Sequence, residues 1–117
     1  MPSKLDGMTV ETIWIEIEKR LKENPEHYQG MNTTYAFNLS GEEGGEFGLK
    51  FADGHAETII GMIDQADCTL SLSVKDFKKL LEGNLNATTS YMMGKLKVQG
   101  NLGEALKLEK LLKQYSF

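Results

Sequence analysis

The apolar positions of this chain change their period along its length, and each change predicts a change of element. Residues 9–24 repeat at 3.6-residue spacing, with Val10, Ile13, Trp14, Ile17 and Leu21 on one stripe, so they predict an amphipathic helix. Thr9 suits its N-cap, and Lys19, Arg20 and Lys22 suit the negative end of its dipole. Asn24-Pro25 ends it. The period then falls to two. Tyr35, Phe37 and Leu39 share one face of "TTYAFNL", and Phe47, Leu49 and Phe51 share one face of "EFGLKF". The "SGEEGG" between them predicts a hairpin loop, and Asp53-Gly54 predicts a second turn into "HAETIIGM". A fourth strand, "CTLSLS", places Cys68, Leu70 and Leu72 on one side and hydroxyls on the other.

Ser73 caps a short helix, "VKDFKKLLEG", with Phe77, Leu80 and Leu81 inward and Gly83 as its stop. "NATTSYMMG" predicts another short helix, capped by Asn86 and ended by Gly94. In "KLKVQG", Leu96 and Val98 alternate with lysines, which predicts a fifth strand. From Asn101 the period returns to 3.6 through Leu102, Ala105, Leu106, Leu108, Leu111, Leu112 and Tyr115. The order is α-β-β-β-β-α-α-β-α. Strands in a run, with helices grouped apart, predict an α+β fold in which helices from both ends of the chain cover one face of a five-stranded sheet.

A length of 117 residues is enough for a single domain, 1–117, and too short for two. With 40% AVILMFWYC the chain can bury a real core, although composition does not say whether that core is solid or hollow. One cysteine excludes an internal disulfide. Without a secretory segment an intracellular setting is expected, and no apolar run approaches the roughly 18 residues of a membrane span.

Net charge is −4 and unevenly placed: residues 1–74 carry 5 basic and 13 acidic side chains, residues 75–117 carry 8 and 4. An acidic whole argues against nucleic acid as a partner. The basic C-terminal third suits a phosphorylated headgroup or an anionic bilayer, or is an ordinary solvated face.

Reactive chemistry is sparse. His27 and His55 have no His, Cys or Glu partner at ligand spacing, and Asp64 and Asp67 lack a third oxygen cluster, so no metal site is expected. Cys68 alternates with inward leucines and so fits a core residue, which leaves no catalytic nucleophile. "GEEGGEFG" is too acidic to cradle phosphate. "GNLG" leads into a helix N-terminus, where it turns the chain and could also meet an anion. No cofactor is called for. The remaining signal is apolar: the inward residues of the last helix spread beyond the usual stripe, and Met92 and Met93 adapt to varied shapes. A plain core, a dimer interface and a cavity wall all fit that pattern.

Residues 94–112, "GKLKVQGNLGEALKLEKLL", resemble the C-terminal signature of the sterol carrier protein type 2-like lipid-binding domain, in which a Gly-Lys-Leu-Lys strand runs through Gly-Asn into a helix with Ala-x-Lys-Leu. Gly94, Lys95, Leu96, Lys97, Val98, Gly100, Asn101, Ala105, Lys107 and Leu108 match. The upstream "ADCTLSLSVKDFKKLLEGNLNATTSYMMG" resembles the preceding strand and the two short helices of that family. The resemblance implies a stand-alone, non-enzymatic module that takes a lipid or fatty-acyl ligand into an apolar tunnel between sheet and helices. Fatty acid, acyl-CoA, phospholipid and sterol-like ligands all remain open.

The expected wall draws on Ile17, Leu21, Phe37, Leu49, Leu72, Phe77, Leu81, Met92, Met93, Leu96, Leu102, Leu106 and Leu112. Transient contact with an anionic membrane or an acyl-CoA headgroup, and a monomer or weak homodimer, complete the expectation. The chain ends Tyr115-Ser116-Phe117 rather than in the Lys-Leu address of peroxisomal members, so a cytoplasmic location is expected. Glu104 replaces an apolar residue common in the family, which predicts a more polar outer face on the last helix. The alternative is a structural or interaction module that uses its apolar helix face to oligomerise or bind a partner chain.

Overall fold

The computed structural model describes residues 7–41 and 44–115. Glu42 and Glu43 of the first hairpin loop, and the terminal Ser116-Phe117, lie outside the described residues. Helix α1 spans Val10–Glu23, and its N-cap Thr9 accepts a hydrogen bond from the Thr12 backbone N–H at 3.2 Å. Its predicted stripe is its buried face: Val10, Ile13, Trp14, Ile17 and Leu21 are all sequestered. A 3₁₀ turn over Pro25–Tyr28, which the periodicity did not flag, follows. Tyr28 turns inward there and donates its hydroxyl to the Leu21 carbonyl at 2.9 Å.

Five strands follow as expected: β1 (Thr33–Ser40), β2 (Gly45–Ala52), β3 (His55–Ile60), β4 (Cys68–Ser73) and β5 (Lys97–Gly100). They form one mixed sheet in the order β3-β2-β1-β4-β5. The first three make an antiparallel meander, β4 lies parallel to β1, and β5 pairs antiparallel with β4. The β2–β3 turn needs two successive left-handed residues, supplied by Asp53 at φ 52° and Gly54 at φ 77°. Between the last strands come α2 (Val74–Leu81) and α3 (Ala87–Met92), and α4 (Leu102–Lys113) closes the chain. Ser73, Asn86 and Asn101 cap these three helices through their side-chain oxygens.

The helices pack on the face that carries Tyr35, Phe37, Leu49, Phe51, Leu70 and Leu72, as the alternation predicted. The opposite face is not left bare. Residues 61–67 carry the chain from the outer β3 back to β4, and Ile63 lies directly over Gly48, where an added Cβ would overlap its side chain. Asp67 anchors the far end: its carboxylate accepts the Thr34 backbone N–H at 2.8 Å, and its own N–H donates to the Thr34 carbonyl at 2.8 Å.

Strand β5 is shorter than its alternation predicted. Leu96 is buried as expected, but ladder pairing starts only at Lys97 and Val98 is half-buried. The backbone N–H groups of Lys95 and Leu96 both donate to the Ser90 carbonyl, at 2.9 and 3.1 Å, so they belong to the turn leaving α3 rather than to the sheet.

Trp14 joins the layers. Its ring lies 5.2 Å from Phe37, 5.0 Å from Phe47 and 5.2 Å from Phe77, and its Nε1–H donates to the Gly48 carbonyl at 3.0 Å. Trp14→Phe keeps an aromatic ring but deletes that donor and part of the volume. It should lower the unfolding free energy by about 2–4 kcal/mol, measured as a fall in the urea midpoint at unchanged slope.

Candidate functional site

The layer between sheet and helices is one contiguous apolar cluster running from Val10 to Tyr115. Ile17, Leu21, Phe37, Leu49, Leu72, Phe77, Leu81, Leu96 and Leu112, expected from sequence as cavity wall, all lie in it. Leu102 and Leu106 are half-buried and pack against its margin. Met92 and Met93 are elsewhere. They are 80% and 63% exposed, so they do not face this layer. Helix α3 buries Ala87 and Ser90, which puts the side chains at its C-terminal end on the outside.

An open cleft of about 520 Å³ lies at the end of the sheet where β1 and β4 finish and β5 begins. Its volume falls within the range of small-molecule sites, roughly 300–1,000 Å³. Leu39 and Leu72, whose side chains belong to the core cluster on the helix face, border it from behind. Gly94, Lys95 and Lys97 rim one side, with Glu46, Asn38, Ser40 and Ser71 contributing polar wall. Sequence reasoning placed Leu39 on the inward face of β1 but not at a site. Lys110, also in the basic C-terminal third, lies with Lys107, Met31 and Leu111 on a different cleft of about 340 Å³.

Polar groups in the core are satisfied rather than poised. Tyr35 donates to the Glu104 backbone carbonyl at 2.9 Å, and the Glu104 carboxylate accepts from Thr33 Oγ1 at 3.2 Å, with Tyr35 Oη at 3.5 Å and Lys107 Nζ at 3.7 Å. Glu104 therefore turns toward the sheet, with its side chain 23% exposed, and does not make the outer face of α4 more polar as expected. The hydroxyls of Thr33 and Tyr35, both on β1, draw it in. Cys68 is buried, and His27 and His55 are exposed. Among the described residues no group of three or more His, Cys, Asp or Glu side chains could hold a metal ion. Nor is any described helix long and apolar enough to cross a membrane.

Residues 16–113 match the SCP-2 sterol transfer family. The chain belongs to that family. Hydroxysteroid dehydrogenase-like protein 2 of Bos taurus is 44% identical over 81 residues, a match covering 68% of this chain and 19% of that protein. The chain thus spans about a fifth of the length of the curated relatives it matches. Among solved structures, sterol carrier protein 2 from Yarrowia lipolytica in its apo form superposes with a TM-score of 0.76 at 31% identity, covering 97% of this chain and 96% of that one. The solution structure of palmitated SCP2L2 from Aedes aegypti superposes with a TM-score of 0.70 at 18% identity, over 94% and 99% of the two chains.

Membership in the SCP-2 family implies lipid binding or transfer. The broad apolar layer of this member suits such a role, and the thiol within it is held in its neutral form. Burial first, then the charges of Glu104 and Asp67, push the Cys68 thiol from its usual 9.0 up to about 11. Burial likewise raises Tyr115 from 10.0 to about 12, with Tyr28 and Glu26 adding to the shift.

Both groups bind their proton more tightly when folded, so the unfolded chain ionises first as pH rises. Their stabilising contribution is complete below about pH 9 and should be lost as pH climbs through about 11 and 12. Urea midpoints should stay flat from neutral pH to near 9 and fall beyond it. Iodoacetamide should leave Cys68 unmodified in the native protein at pH 8 and label it on unfolding.

Proposed function

We propose that this protein is a non-enzymatic carrier that binds the hydrocarbon portion of a long-chain lipid in an apolar tunnel and moves it between membranes in the cytoplasm. The observation that carries this reading is the contiguous apolar layer between sheet and helices, with Lys95 and Lys97 on a cleft at the end of the same sheet. A fatty acid, acyl-CoA or phospholipid would place its chain in that layer and its anionic head beside the lysines. The palmitated Aedes aegypti neighbour, similar in fold, supports an acyl chain as the ligand class. The reading takes residues 1–117 as one lipid-binding unit, acting as a monomer or weak homodimer. The wall it assigns is Ile17, Leu21, Phe37, Leu49, Leu72, Phe77, Leu81, Leu96, Leu102, Leu106 and Leu112.

Burying a CH₂ group contributes about 0.8 kcal/mol, so ten contribute about 8 kcal/mol before association costs are subtracted. A chain of about fifteen CH₂ groups, about 12 kcal/mol gross, reaches the roughly 8 kcal/mol of micromolar binding against an association cost of about 4 kcal/mol, with no specific polar contact. That tolerance suits a carrier that must also release its load.

Purified protein extracted with organic solvent should yield acyl lipid by mass spectrometry, and delipidated protein should bind a fluorescent fatty acid saturably. An empty extract together with no saturable binding removes the carrier reading. Leu106 packs at the margin of the apolar layer, so a larger ring there has to take space from it. Leu106→Trp should weaken fatty-acid binding while lowering stability by only about 1–3 kcal/mol. Unchanged affinity in the folded variant would take Leu106 out of the wall.

A further inference from the structure

Helix α3 is amphipathic in the wrong sense for a soluble protein. It buries Ala87 and Ser90, one small and one polar, and points its large apolar residues outward. Tyr91 is 43%, Met92 80% and Met93 63% exposed. This exposure is held in place rather than left to chance. The Ala87 N–H donates to the Glu109 carboxylate on α4 at 2.6 Å, which pins the first turn. At the other end Gly94 takes φ +78°, and the Lys95 and Leu96 N–H groups close back on the Ser90 carbonyl. Three adjacent apolar side chains are therefore presented on a rigid tip, immediately before Gly94 and Lys95 at the cleft rim.

The stretch of chain that carries the tip has charge of one sign. Residues 84–101 contain Lys95 and Lys97 and no acidic residue, in a chain of net charge −4. Glu109 meets α3 at its first turn, the end opposite the methionines, and Glu46 stands in the cleft wall with the two lysines. The apolar area offered is on the order of a few hundred Å², well short of the roughly 800 Å² per partner in a stable protein complex. A small apolar tip backed by lysines is instead what an anionic bilayer surface accepts. Tyrosine favours the headgroup level, methionine fills irregular apolar space, and each lysine gains from the negative surface potential.

We propose that the Tyr91-Met92-Met93 turn is the membrane-docking element of this protein, seating these side chains in the interface of an anionic bilayer while Lys95 and Lys97 meet its headgroups. This rests on the carrier reading, and it sets the Lys95 and Lys97 rim of the sheet-end cleft beside the membrane.

Flotation with phosphatidylcholine vesicles, with and without phosphatidylserine, tests it. Wild-type protein should bind the phosphatidylserine vesicles, and binding should fall with added salt because the Debye length is about 8 Å at physiological ionic strength. Met92→Ser/Met93→Ser should weaken that binding by about tenfold. Lys95→Gln/Lys97→Gln should reduce it on anionic vesicles only. Met62→Ser, at another exposed methionine (72%), should change nothing. Solution binding of a fluorescent fatty acid by the double-methionine variant should match wild type.

The proposal is overturned if wild-type protein does not float, or if the double-methionine variant floats equally well. It is also overturned if that variant loses fatty-acid affinity in proportion, which would make the methionines ligand contacts. Loss of self-association in place of vesicle binding would assign the tip to a second copy of the chain and overturn it too. Absence of fatty-acid binding by wild-type protein is a separate result: it removes the carrier reading, whereas the flotation series judges the docking element.

Discussion

The indole of Trp14 is the contact on which the arrangement of layers depends. It stands on the inner face of α1, within about 5 Å of one phenylalanine from each of β1, β2 and α2. Its Nε1–H reaches a strand carbonyl at Gly48, so ring burial and hydrogen bonding fix the same docking position. An aliphatic residue could fill the volume but not set the rotation of α1 over the sheet. With α1 placed, Leu21 and Tyr28 extend the layer toward Phe51, and the chain enters β1 beside them.

The far end of the molecule closes onto this first helix. Tyr115, just beyond α4, donates its hydroxyl to the carbonyl of Asn24 at 2.6 Å and lies edge-on to His27. Helices from the two ends of the sequence thus complete one cover over a sheet built mostly from the middle. The parallel β1–β4 pair makes this possible, because it places β5, and with it the start of α4, on the side of the sheet away from β3. The connection that creates the parallel pair is short and carries no helix. It fits because Gly48 leaves room for Ile63 on the outer face.

The titratable groups of this interior are already engaged. The thiol and phenols are held protonated by burial, and the Glu104 carboxylate is occupied by hydroxyls of β1 and by Lys107. The layer itself is apolar surface without directional demands. Charge is kept at the rim, where Lys95 and Lys97 face Glu46 across the cleft. An amphiphile requires that division: tail recognition by area, head recognition by a few exposed charges.

The elements, their caps and their buried faces were legible in the sequence, because period and capping are local properties carried by neighbouring residues. The stripe of α1, the alternation of β1, β2 and β4, and Thr9, Ser73, Asn86 and Asn101 as caps all follow from spacing alone. The family was legible for the same reason, since its signature is one unbroken stretch across β5 and α4. Strand order, the parallel pair and the path of residues 61–67 were not legible, because each depends on contacts between distant segments that no local period encodes. The same holds for Glu104, whose partners Thr33 and Tyr35 lie about seventy residues away. Met92 and Met93 show the limit most directly. Hydrophobicity predicted that they would face inward, but α3 already commits Ala87 and Ser90 to the interior. A helix of six residues has only one inner face, so tertiary packing on α4 sent the methionines out.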